Sequence, residues 1–172
     1  MNVTWKGQSC GSTSRAFLHE SIHDAVLACV KERCEALKPG LPTGMATDVG
    51  AIVSKAQHDR ILRYTDAARR KTRAWSAAAR APGIPADEAA MLRQVDAVEY
   101  GLTCSIWTRD LAAAHRITAA VDAGYIWVNS TSRHFLGAPF GGYKQSGIGR
   151  EEGIEELIAY TQEKNIHITL EP

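Results

Sequence analysis

The sequence has no long hydrophobic run and no segment typical of a secretion signal. A helix that crosses a bilayer needs about 20 consecutive apolar residues, and a signal peptide needs a charged start followed by an apolar stretch. Neither pattern occurs along the 172 residues. We therefore expect no membrane association and a cytoplasmic location.

The chain also has little net charge and few cysteines. Twenty basic and nineteen acidic side chains leave a formal charge of +1, which gives no overall field to attract nucleic acid. The cysteines are too few and too scattered for a disulfide framework, so we expect reduced thiols at Cys10, Cys29, Cys34 and Cys104. The 45% hydrophobic content is ordinary for a globular chain, and this length predicts one domain.

Helical and strand-like patterns alternate along the sequence. Ser21, Ser54 and Asp110 each precede an apolar repeat of helical spacing, which predicts three helix starts. The predicted order is a strand at 15–19, a helix at 21–37, a loop at 40–50, a helix from 54 to about 71, a junction rich in Ala, Pro and Gly at 74–85, a helix at 87–98, a strand at 103–108, a helix ending at Gly124, a strand at 125–129, a helix near 150–160 and a strand at 165–170. This order predicts an α/β fold with a mostly parallel sheet flanked by helices.

Two motifs suggest a bound metal or nucleotide, but their contexts exclude both. The run from His19 to His23 matches H-E-x-x-H, which binds zinc only when both histidines lie on one helical face. Because Ser21 is the predicted helix cap, His19 falls outside the helix, and we expect no metal site. The glycines between Gly141 and Gly153 lack the preceding strand and spacing of a nucleotide loop, so they indicate close backbone approaches and no cofactor-binding residues.

Cys10 is the candidate nucleophile. Small residues surround it from Gly7 to Ser14, so a carbonyl compound could reach its sulfur, and a thiolate there could attack the carbonyl carbon. The other three cysteines fall in predicted helices or in an apolar strand, where they are expected to be packing residues.

Four segments follow one another in an order that resembles a known enzyme family. They are Gly7-Gln8-Ser9-Cys10, Tyr100-Gly101-Leu102, Trp127-Val128-Asn129 and the block from Pro139 to Glu151, which reads PFGGYKQSGIGRE. Together they resemble the NAD(P)-dependent aldehyde dehydrogenase superfamily. The resemblance extends over roughly 4–68 and 95–170, and it identifies the chain as a truncated portion of that family's catalytic domain.

The resemblance implies specific roles for four side chains. It implies that the Cys10 thiolate attacks an aldehyde to give a thiohemiacetal, that hydride passes to NAD or NADP, and that the resulting thioester is hydrolysed to a carboxylic acid. It also implies that Asn129, Phe135 and Phe140 shape the substrate site, with the 130–137 loop, which also holds His134, at the mouth of that site. From the residues alone, Asn129 could equally be a strand-end cap and Phe140 a core residue.

Parts of the family pattern are missing from this sequence. Only nine residues precede Cys10, so we expect the N-terminal coenzyme-binding domain to be absent. The family's Glu-x-Phe-Gly-Pro segment is also missing between Thr72 and Val95, which indicates an internal deletion near 73–95. We therefore predict an incomplete catalytic domain at 1–162 and a C-terminal oligomerisation strand at 163–172.

Three functions remain open at this point. The chain could oxidise an aldehyde with NAD(P)+ in the manner of the family. It could instead be a cofactor-free thiol esterase or transferase, which needs only Cys10 and a folded chain. It could also be an inactive remnant that pairs through 165–170 with an intact relative. The terminal strand predicts either a homo-oligomer or pairing with a related full-length chain, and dehydrogenase activity would need the missing parts from such a partner chain.

Overall fold

A computed structural model describes residues 6–71 and 87–171 of the chain. It divides the chain into two compact units, Met1–Gln94 and Val95–Pro172. This division differs from the single domain that the length predicts. The predicted junction at 74–85 lies outside the described residues.

The first unit contains two long helices. Helix α1 spans Glu20–Glu35, and its N-cap is His19, whose side chain accepts a hydrogen bond from the Ser21 amide at 3.2 Å. The prediction that Ser21 is the cap is therefore wrong, because an imidazole nitrogen accepts the bond in place of a hydroxyl. Helix α2 spans Lys55–Lys71, and the Ser54 hydroxyl accepts from the Gln57 amide at 3.3 Å, which confirms the predicted cap.

The rest of the first unit contains little regular structure. Two-residue strands β1 (Pro39–Gly40) and β2 (Val49–Gly50) pair in parallel at the two ends of the predicted loop. Residues 15–19 form no strand, contrary to the prediction. No described residue of this unit is buried, and Ile22 on the apolar face of α1 is 48% exposed.

The second unit is built on a parallel crossover. Helix α3 (Glu88–Val95) belongs to the first unit except for its last residue. In the second unit β3 (Tyr100–Gly101) comes first, and strand β4 (Thr103–Ile106) then leads through helix α4 (Leu111–Ala120) to strand β5 (Tyr125–Val128). Strands β4 and β5 pair in parallel, with Thr103 opposite Tyr125 and Ile106 opposite Val128. The Asp110 side chain accepts from the Ala113 amide at 3.1 Å. The predicted strand–helix–strand unit and its cap are confirmed.

The remaining elements of this unit are short. Strand β6 (Tyr143–Lys144) pairs with β3 in antiparallel fashion, and α5 (Ile154–Ala159) is shorter than the helix predicted at 150–160. Among the described residues, the buried apolar ones all belong to this unit: Ile106, Ala114, Val121, Ala123, Trp127 and Phe140.

The architecture is α/β, as predicted, and parallel pairing predominates. In the described residues, however, the sheet consists of three separate pairs of strands, β1–β2, β3–β6 and β4–β5. The predicted terminal strand at 165–170 is not formed, because a strand exists only where a second strand completes its hydrogen bonds, and residues 161–171 are all exposed. No helix within 6–71 or 87–171 is both long and apolar enough to span a membrane.

Candidate active site

Cys10 lies in a tight turn of the first unit. The turn is closed by a hydrogen bond of 3.1 Å from the Ser12 amide to the Ser9 carbonyl oxygen. The thiol is exposed, and its neighbours along the chain are small. A carbonyl compound can therefore approach the sulfur without displacing a bulky side chain.

The other thiols differ from Cys10 in different ways. Cys29 and Cys34 are exposed on α1, so the prediction that they are packing residues is wrong. No residue of α1 is buried, so the helix has no covered face in which these thiols could pack. Cys104 on β4 is half-buried, and burial, followed by the negative charge of Asp96, raises the pKa of its thiol. Exposure alone thus does not single out Cys10, whereas its position in a turn of small residues does.

Asn129 directly follows β5 and ties it to the end of β4. Its side-chain Oδ1 accepts from the Thr108 amide at 2.9 Å, and its Nδ2 donates to the Thr108 carbonyl oxygen at 2.8 Å. Its backbone has φ of 53°, a left-handed conformation that asparagine tolerates better than most residues. Of the two interpretations that the sequence leaves open, the geometry is that of the strand-end cap.

Phe135 and Phe140 occupy opposite environments in the second unit. The Phe140 ring is 7% exposed and lies 5.2 Å from the Tyr125 ring, between centroids. Its backbone forms two hydrogen bonds with Glu151, at 2.8 and 2.7 Å. Phe135 is 58% exposed in the 130–137 loop. Phe140 is thus a core residue by its surroundings, and Phe135 is the phenylalanine that a substrate could touch.

An aromatic cluster surrounds Phe140, and the sequence pattern does not reveal it. Its members are Tyr125, Trp127, His134 and Phe140, whose neighbouring ring centroids lie 4.9 to 6.2 Å apart. His134 also donates from Nδ1 to Glu152 Oε1 over 2.7 Å. Tyr125 and Trp127 lie two residues apart on β5, so the alternation of a strand places their rings on one face. The contact between His134 and Glu152, however, joins residues 18 apart. No local pattern predicts that contact.

The glycine-rich segment between Phe140 and Glu151 is filled by its own chain. A Cβ on Gly141 would lie 2.5 Å from the Gly149 carbonyl oxygen, and one on Gly142 would collide with Ser146. Their small size therefore permits close backbone approach, as the sequence predicts, and leaves no cradle for a phosphate. This segment therefore does not fit the phosphates of a dinucleotide such as NAD or NADP.

The histidines of the H-E-x-x-H run do not form a metal site. His19 Nδ1 is 2.8 Å from the Ser21 hydroxyl, and His23 Nδ1 is 2.8 Å from Asp24 Oδ1. Nowhere in 6–71 or 87–171 do three His, Cys, Asp or Glu side chains group as metal ligands would.

The predicted site residues thus fall in both units. Cys10 belongs to the first unit, and Asn129, Phe135 and Phe140 belong to the second. Within the second unit, the 130–137 loop connects Asn129 to the aromatic cluster and includes Phe135.

Comparisons with known proteins identify the class to which this arrangement belongs. The sequence model of the aldehyde dehydrogenase family matches residues 1–78 and 84–166. The chain therefore belongs to the aldehyde dehydrogenase family.

Individual relatives agree with this assignment. The chain is 41% identical to the aldehyde dehydrogenase tropH of Talaromyces stipitatus over 211 residues, covering 99% of the chain and 41% of the relative. It is 33% identical to betaine aldehyde dehydrogenase 2 of Rhizobium meliloti, covering 96% and 41%. A solved aldehyde dehydrogenase from Bacillus cereus, in complex with NAD+, superimposes with a TM-score of 0.82 at 25% identity, covering 96% of this chain and 40% of that one. The chain thus spans about two fifths of the length of the relatives it matches.

Proposed function

We infer that this chain supplies the thiol-bearing part of an aldehyde dehydrogenase, with Cys10 as the nucleophile that binds an aldehyde covalently. The observation that carries the proposal is the exposed Cys10 thiol, held in a tight turn of small residues inside a segment that matches the family. The substrate class is an aldehyde, because a thiolate forms a tetrahedral adduct with the carbonyl carbon of that group.

The first step needs no coenzyme. The sulfur lone pair of the Cys10 thiolate forms a bond to the carbonyl carbon, the electron pair of the C=O bond moves to oxygen, and that oxygen takes a proton from water to give a thiohemiacetal. Oxidation to a thioester needs a hydride acceptor, in this family NAD or NADP. Because the glycine-rich segment at 140–151 leaves no room for a phosphate and the chain spans about two fifths of its relatives' length, we expect that oxidation by this chain requires a coenzyme-binding part from outside the described residues.

The domain organisation that we propose is a catalytic domain with an internal deletion. The family match is interrupted between residues 78 and 84, inside the region 73–95 where the Glu-x-Phe-Gly-Pro segment is missing. The match to the Talaromyces relative also runs over 211 residues, more than the 172 of the whole chain. Both observations support a catalytic domain at 1–162 that lacks residues its relatives have.

The proposal extends to assembly and location. Residues 165–170 have alternating apolar side chains that are exposed, with Ile166 at 68% and Ile168 at 73%. They support a terminal strand at 163–172 that pairs with a second copy or with a related full-length chain. The free state of all four cysteines supports a reducing compartment such as the cytoplasm.

An activated ester tests the nucleophile without any coenzyme. The thiolate attacks the ester carbonyl of p-nitrophenyl acetate, p-nitrophenolate leaves, and water then hydrolyses the thioester to acetate and the free thiol. We expect the chain to release p-nitrophenolate and to carry the acetyl group on Cys10 in rapidly quenched samples. Cys10→Ala is expected to abolish both signals, whereas Cys34→Ala should retain them.

The matched control makes this test decisive. Cys34 is also an exposed thiol, so a reaction that follows accessibility alone would acetylate Cys10 and Cys34 alike and would refute the special role of Cys10. A second measurement follows NADH or NADPH formation with an aldehyde. Turnover by this chain alone, lost in Cys10→Ala, would contradict our conclusion that the coenzyme site lies outside the described residues.

A further inference from the structure

A hydrogen bond between two side chains that are distant in sequence joins the 130–137 loop to the segment that precedes α5. His134 Nδ1 donates to Glu152 Oε1 at 2.7 Å. The His134 side chain is 45% exposed and that of Glu152 is 24% exposed. We propose that His134 and Glu152 form a latch that positions the 130–137 loop, and that His134 is the positioning residue of this loop.

The aromatic cluster fixes the orientation of the His134 ring. The imidazole lies 4.9 Å from the Phe140 ring and 6.1 Å from the Tyr125 ring, between centroids, and it is nearly parallel to the latter, at 19°. Phe140 is a core residue, so one end of the latch rests on the core of the second unit. A ring oriented in this way directs Nδ1 at the Glu152 carboxylate with little rotational freedom to lose.

Glu152 is held in a conformation that glutamate rarely adopts. Its φ is 65°, in the left-handed region, where a side chain is strained. Three contacts maintain it: the bond from His134, a bond of 2.7 Å from its amide to Glu156 Oε2, and a bond of 2.7 Å from the Gly137 amide to its carbonyl oxygen. The position of Glu152 is thus over-determined by contacts, as expected for one half of a latch.

The second carboxylate oxygen of Glu152 makes the latch sensitive to His134. Glu152 Oε2 is buried and has no hydrogen-bond partner among the described residues. If His134 were removed, Glu152 would lose the donor on Oε1 as well, and leaving a partly buried carboxylate unpaired costs more than the bond itself contributes. Loss of His134 should therefore release the loop more than loss of both partners together.

Two backbone contacts on either side of His134 show what the latch positions. The Trp127 indole Nε1 donates to the Arg133 carbonyl oxygen at 2.6 Å, and the Gly137 amide binds Glu152. Between these points lie Phe135 and Leu136, which are 58% and 96% exposed. The latch thus presents two apolar side chains to solvent at fixed positions. That these side chains meet an aldehyde rests on the proposed function.

The Trp127 indole proton allows the latch to be tested without any catalytic assay. Its hydrogen exchange is measured by NMR in the wild-type chain, in His134→Ala, in Glu152→Ala and in the double variant. His167→Ala in the exposed terminal segment serves as the matched control. Backbone amides of α4 report global unfolding of the second unit, and the exposed Trp107 indole gives the rate of a solvent-accessible proton.

We expect exchange of the Trp127 indole to be roughly tenfold faster in His134→Ala and less affected in the double variant, with the α4 amides and the control variant unchanged. Unchanged exchange in either single variant would overturn the proposal. So would equal acceleration at α4, or failure of both variants to fold, since either would make the pair part of the global core. Because none of these readouts involves Cys10, failure of the latch is distinguishable from failure of the proposed function.

Discussion

Phe140 and Phe135 offer a direct test of which phenylalanine supports the fold and which is free to meet a substrate. They lie five residues apart and differ mainly in exposure, 7% for Phe140 against 58% for Phe135. The substitutions are Phe140→Ala and Phe135→Ala, compared in the same chain. Both remove the same atoms, so any difference in the free energy of unfolding reports the surroundings of the two rings.

The expected difference is large. Truncation of a buried phenylalanine to alanine costs about 3–5 kcal/mol, and Phe140 additionally contacts Tyr125 and His134 at centroid distances of 5.2 and 4.9 Å. Only six apolar residues are buried in the described part of the second unit, so Phe140 is a large part of its core. Truncation of the exposed Phe135 should change stability by no more than about 0.5 kcal/mol.

Chemical denaturation followed by tryptophan fluorescence and by NMR of the second unit measures both values. Phe140→Ala should lower the unfolding midpoint strongly or prevent the second unit from folding, whereas Phe135→Ala should unfold like the wild type. An equal loss in both variants, or an unchanged midpoint in Phe140→Ala, would refute the assignment of Phe140 to the core. Phe140→Leu, which retains much of the volume, is expected to fall between the two.

Two further predictions concern groups whose surroundings are equally specific. Burial and Asp96 raise the pKa of the Cys104 thiol in the folded chain, so the unfolded chain loses this proton at a lower pH than the folded chain does. The free energy of unfolding should therefore fall as the pH rises above roughly 8.5. Unfolding curves at several pH values should show a smaller alkaline loss in Cys104→Ala, and an equal loss in that variant would mean that another group is responsible. Gly124→Ala should cost about 1–3 kcal/mol in urea unfolding, because its methyl group would collide with the Gly141 carbonyl oxygen. Gly149→Ala, with no atom within 4 Å of its added Cβ, should cost less than about 0.5 kcal/mol, and equal costs would exclude a steric origin.

The elements that the sequence predicted correctly are those fixed by local chemistry. Ser54 and Asp110 cap their helices, because a short oxygen-bearing side chain can reach an amide two or three residues on. The parallel pair of β4 and β5 follows from two apolar runs separated by a helix of suitable length. The start of α1 was misplaced because His19 accepts the bond from the Ser21 amide, and histidine is not among the usual capping residues.

The elements that this chain does not form by itself depend on partners elsewhere. Residues 15–19 hold a short apolar run and residues 165–170 have the alternation of a strand, but neither pattern says which chain completes the hydrogen bonds. The exposure of Cys29 and Cys34 has the same origin, since the apolar face of α1 is not covered. The contact of His134 with Glu152 joins residues 18 apart, and no periodic pattern indicates which glutamate a histidine will meet.

Asn129 fixes the start of the 130–137 loop, which we propose lies at the mouth of the substrate site. Both polar groups of its side chain bind the Thr108 backbone, and its left-handed φ turns the chain out of β5 into the 130–137 loop. The far end of that loop is held by the bond of His134 to Glu152. The loop therefore has two anchors. The Asn129 side chain binds the Thr108 backbone at its start, and the His134 ring, which contacts Phe140, binds Glu152 further along. If Phe135 contacts an aldehyde, its position is set by these two anchors, and substitutions at Asn129 would act on binding through the loop rather than through a lost contact to the substrate.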